Sequence, residues 1–116
     1  MRRNRMIILA ALAVCACQHA SAETKAVLAD DTEPTLGALK DALSEHMERS
    51  DIQFGVSDPT EQPIVSVLPR SLGADIGMSL ALPTLFDLVL RDSVCFAIER
   101  ETREAVALPN VPCRPA

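Results

Sequence analysis

Leu36, Leu39, Leu43 and Met47 recur at helical spacing through residues 35–50, with Lys40, Asp41, Glu45, Glu48 and Arg49 off that stripe. The pattern predicts an amphipathic helix with Thr35 as its N-cap and Pro34 at its boundary. The period then changes. Ile52, Phe54 and Val56 alternate with polar or small neighbours over residues 51–57, as in a strand with one buried face. Pro59, Pro63 and Pro69 isolate residues 64–68 (IVSVL), which read as an edge strand at best. Alternation returns at Ile76, Met78, Leu80 and Leu82 and predicts a strand over residues 75–82. Pro83, Thr84 and Asp87 read as a capping arrangement that opens a short helix with Leu85, Leu88 and Val89 inward. Finally Val94, Phe96 and Ile98 present one face of a strand, residues 99–104 turn, and Val106 and Leu108 pair back as a β-hairpin.

These elements define an α+β fold class: one small domain over residues 35–108, two helices packed on a small mixed β-sheet in the order α-β-β-α-β-β. Roughly seventy-five residues support one core and leave no room for a deep cleft between domains. Residues 23–34 (ETKAVLADDTEP) are acidic and show no sustained period, so they read as a mobile linker. Residues 109–116 form a C-terminal tail that carries Cys113.

Residues 1–22 read as a signal peptide. Arg2, Arg3 and Arg5 make a basic start, residues 6–16 (MIILAALAVCA) an apolar run too short for a stop-transfer helix, and Ala20-Ser21-Ala22 a cleavage site. The mature chain then begins at Glu23, in the periplasm or outside the cell. A second processing route stays open, because Val14-Cys15-Ala16-Cys17 resembles the lipobox of bacterial lipoproteins. That resemblance implies lipidation at Cys17 and, with Gln18 next, an outer-membrane anchor.

Export changes the charge and the chemistry. Of eleven basic and sixteen acidic residues the signal removes three basic and none acidic, so the net charge moves from −5 to −8. Such a chain is no nucleic-acid binder, and it has no basic stripe interleaved with aromatics. It contacts a membrane only if Cys17 is lipidated. Beyond the signal only Cys95 and Cys113 remain, and an even pair in an oxidising compartment is most economically a disulfide. Cys95 points to the opposite face from Phe96, so the tail must fold back over that face to reach it.

The succession of residues 36–47 as helix, Ile52-Gln53-Phe54-Gly55-Val56 as strand, Met78-Ser79-Leu80 as strand, residues 82–90 as small helix and Val94-Cys95-Phe96-Ala97-Ile98 as hairpin arm resembles the short N-terminal domain of secretins and TonB-dependent transducers. The resemblance spans residues 36–108. It implies a docking module whose partner is another envelope protein: a secretin, a TonB-dependent receptor or a regulator. The resemblance would make this a free-standing module.

No catalytic constellation emerges, and the chain reads as no enzyme, with no cofactor and no metal. Gly77-Met78-Ser79-Leu80-Ala81 looks like a nucleophile elbow, yet Ser79 falls inside an alternating strand. His46 reads as a lone helix-surface histidine. Asp30-Asp31 falls in the linker, and Glu99, Glu101 and Glu104 read as a solvated run compensated by Arg100 and Arg103. Without Trp or Tyr, an interface must use aliphatic anchors or a strand edge, and Ile64, Val65, Ser66, Val67 and Leu68 are the expected edge. The function expected is an exported, non-enzymatic protein-interaction module. The alternative is a small secreted inhibitor or effector, for which the proline-bounded loop 59–69 also suits.

Overall fold

Residues 23–70 and 82–116 are described by a computed structural model. The signal region with Cys17, most of the strand expected over 75–82, and Ser79 lie outside the described residues. The element order is β1 (Thr24–Leu28), α1 (Glu33–Met47), β2 (Ile64–Val67), β3 (Thr84–Arg91), β4 (Val94–Glu99), β5 (Ala105–Leu108) and β6 (Cys113–Pro115). The strands run β5-β4-β3-β1-β6, with β2 also on β3, and every pairing is antiparallel. Among the described residues there is one helix and a mostly β architecture. The expected two helices on a small mixed sheet are therefore overturned.

The largest correction is residues 84–91. Leu85, Leu88 and Val89 suit a helix face, but Phe86, Leu88 and Leu90 also alternate with Leu85, Asp87, Val89 and Arg91, and a short apolar run fits both periods. The strand prevails because β3 lies at the centre of the sheet. It pairs along its length with β4 on one side, while β2 and the start of β1 share the other. Phe86 and Leu88 are fully buried on its inner face. Asp92 and Ser93, both at positive φ (52° and 68°), form the two-residue loop into β4. The hairpin of β4 and β5 forms as expected, in the register Cys95↔Leu108 to Ile98↔Ala105.

Residues 23–34 are not a linker. Ala26, Val27 and Leu28 are buried in succession, which requires cover on both faces. β1 pairs with β3 through Thr24 and Lys25, then leaves it and pairs with β6 through Ala26, Val27 and Leu28. The tail is likewise ordered as β6. Strands three places apart in a flat sheet would sit about 14 Å apart. Cys95 of β4 and Cys113 of β6 are disulfide-bonded with Cα atoms 5.9 Å apart, so the β1–β6 ribbon folds over the inner face of the main sheet.

Helix α1 fills the rest of that face. Leu39 and Leu43 are fully buried in the cluster with Val65, Val67, Phe86, Leu88 and Leu108, and Leu36 and Met47 flank it. The cap is Thr32 rather than Thr35, whose side chain is buried in the first turn, and Pro34 stands at the start of the helix. Glu48 in the left-handed region (φ 57°) ends it. The strand expected over 51–57 reduces to one bridge, Phe54 to Val67. Ile52 is buried, whereas Val56 projects fully into solvent.

Candidate functional site

Among the described residues a single helix covers one face of the sheet, and no helix or strand covers the other. On that outer face stand Ile64 of β2, Leu85, Asp87, Val89 and Arg91 of β3, and Phe96 and Ile98 of β4, as the register requires. The sequence reading placed Phe96 and Ile98 as the presented face of β4. The core side is instead Cys95 and Ala97, both buried in the central cluster.

Val89 and Ile98 are only 7% and 6% exposed although no helix or strand covers them among the described residues. They form the floor of a groove whose rim includes Lys25, Asp87, Arg100 and Arg103. Long basic side chains lay their stems along apolar surface and keep their charge in water. Arg91 does so over Phe96, its guanidinium carbon 5.1 Å from the ring centroid, while donating to Glu23 at 2.7 Å. Arg100 forks onto Asp87, donating from Nη2 to Oδ1 at 2.6 Å and from Nε to Oδ2 at 3.3 Å. The hydrogen bond to Asp87, and then its charge, hold the Arg100 guanidinium more firmly protonated than usual.

The edge expected at Ile64 to Leu68 is occupied by the chain itself. Ile64, Val65, Ser66 and Val67 pair with β3 on one side. On the other, the Gly55 amide donates to the Ser66 carbonyl at 2.7 Å, and the Leu68 amide to the Gln53 carbonyl at 2.8 Å. The strand order ends instead at β5, where Ala105 and Ala107 are exposed.

His46 is not alone. Its Nε2 lies 2.9 Å from Glu99 Oε1 and 3.5 Å from Glu104 Oε1, and its ring meets Phe86 edge-on at 6.0 Å between centroids. The run 99–104 is therefore not self-compensating: two of its carboxylates turn to the helix, and Arg100 turns to β3. Sequence reasoning missed this because His46 and Glu99 are 53 positions apart. Alternation from Cys95 through Ala97 does place Glu99 on the inner face, and that was the available signal.

Cys95 and Cys113 are joined as the cysteine count predicts. No helix among the described residues is long and apolar enough to cross a membrane. No protein-family model, curated protein or solved structure matches this chain.

Proposed function

We propose that this is an exported envelope protein that works by binding another protein rather than by catalysis, and that it binds through the outer face of the sheet. The groove floored by Val89 and Ile98 carries this reading: two aliphatic side chains line it beside Lys25, Arg100 and Arg103, and no helix or strand among the described residues lies over them. Charge selects the occupant. On the rim Arg100 is paired with Asp87 and Glu23 with Arg91, which leaves the charges of Lys25 and Arg103 to face an occupant. A segment that sets an apolar side chain between carboxylates complements it.

Of the elements that carried the likeness to the secretin and TonB short N-terminal domain, residues 36–47 and 94–98 form the expected helix and strand, residues 84–90 are a strand instead of a helix, residues 52–56 make a single bridge, and residues 78–80 lie outside the described residues. That likeness still names a partner class, a secretin, a TonB-dependent receptor or a regulator, and capture tests it directly. The experiment is in-cell crosslinking of a tagged, export-competent chain beside the double variant Lys25→Glu/Arg103→Glu. Both positions are exposed, so the fold tolerates the change. One envelope protein attached to the parent chain and lost from the variant supports the reading. Equal capture by both overturns the groove, and release into the medium with no envelope partner favours the secreted inhibitor.

A further inference from the structure

We propose that His46, Glu99 and Glu104 form a site for a divalent transition cation of the zinc class, clamping the end of α1 to the β4–β5 hairpin. Nothing in the docking reading requires this site, and the two can fail independently. The ligand set is one imidazole nitrogen and two carboxylate oxygens, a combination that suits zinc and leaves a fourth position open. The three atoms lie within 4.8 Å of one another. Around a tetrahedral ion with bonds of about 2.0–2.1 Å, ligand atoms sit roughly 3.3–3.4 Å apart. The separations from Nε2, 2.9 and 3.5 Å, bracket that edge, so small rotations of the two carboxylates would admit the ion.

Hydrogen bonds and a ring contact hold the supports. His46 occupies the last turn of α1 with its ring against Phe86. The Glu99 amide donates to the Glu104 carbonyl at 2.8 Å, and the Arg103 amide to the Glu99 carbonyl at 2.7 Å, which holds both ligand-bearing residues in register across the turn. Charge points the same way. Two carboxylates converge on the one imidazole nitrogen. The basic residues beside them in sequence do not answer: Arg100 is committed to Asp87, and among the described residues no Lys or Arg pairs with Glu99 or Glu104. A bound cation would supply the missing charge. Glu104 is mostly exposed, giving the ion a path in and water the fourth position.

The test is calorimetric titration of the exported, purified full chain with zinc chloride, beside His46→Gln and Glu104→Gln, with circular dichroism confirming that each variant is folded. The result expected is one zinc per chain, a higher melting temperature with zinc than with chelator, and affinity lost in His46→Gln. In Glu104→Gln affinity falls at least roughly tenfold, the scale seen even for outer partners of zinc ligands. Cobalt(II) should give the visible absorption of a four-coordinate site, absent from His46→Gln. No saturable binding, or binding unchanged in both folded variants, overturns the proposal. Binding of calcium in preference to zinc overturns the histidine's part in it.

Discussion

Cys95 and Cys113 sit in strands separated by two others in the sheet order, yet they are bonded with Cα atoms 5.9 Å apart. The bond holds the β1–β6 ribbon down on the inner face, so it closes the core as well as a loop. Their sequence separation of 18 makes that loop worth about 3 kcal/mol on the chain-entropy account. The double variant Cys95→Ala/Cys113→Ala is expected to lose about that much in urea unfolding, and more if the ribbon detaches. An unchanged midpoint would show that the ribbon docks without the bond.

The Asp92–Ser93 loop places two side-chain-bearing residues at positive φ, the primed-turn conformation that matches strand twist. Glycine occupies that region without the steric penalty on Cβ. Ser93→Gly is expected to stabilise the protein by about 0.5–1 kcal/mol, seen as a higher melting temperature. A lower one would contradict the hairpin between β3 and β4.

Leu43 and Val56 both stand in apolar patterns, but the first is fully buried and the second fully exposed. Leu43→Ala should cost about 2–5 kcal/mol. Val56→Ser should change stability by no more than about 0.5 kcal/mol. Denaturation midpoints of the two variants separate the observed core from the alternating strand first read at 51–57.

Asp58 accepts the Thr60 hydroxyl at 2.6 Å and the Thr60 amide at 3.0 Å, bonds that hold its carboxyl below the ordinary value of 3.8. A depressed folded value stabilises the fold fully above pH 3.8, and the gain disappears as pH falls through the lower folded value. The turn matters because the Pro59 carbonyl within it accepts the Leu28 amide of β1 at 2.8 Å. Asp58→Ala should therefore be less stable than the parent at neutral pH, with the gap closing below pH 3.8. A gap independent of pH would assign the effect to backbone geometry alone.

Neither the groove rim nor the His46–Glu99–Glu104 cluster was legible in the sequence. The cationic rim joins Lys25 of β1 to Arg100 and Arg103 beyond β4. Those residues meet only because β1 returns to pair with β3, and no local pattern in an apparent linker announces a long-range pairing. His46 and Glu99 met the same obstacle: 53 positions separate them, and the reading that gave the inner face of β4 to Phe96 and Ile98 left Glu99 on the other.

What the sequence determined by itself was whatever local periodicity or counting decides: the stripe of α1, the β4–β5 hairpin, the pairing of two cysteines and the acidic charge. The tertiary structure decided the rest. Residues 84–91 satisfy both a helical and a strand period, and they became β3 because hydrogen-bond partners flank them on both sides. Residues 24–28 became β1 because β3 and β6 satisfy their backbone groups and the core covers Ala26, Val27 and Leu28. A strand's stability lies in its neighbours, and a sequence window does not contain them.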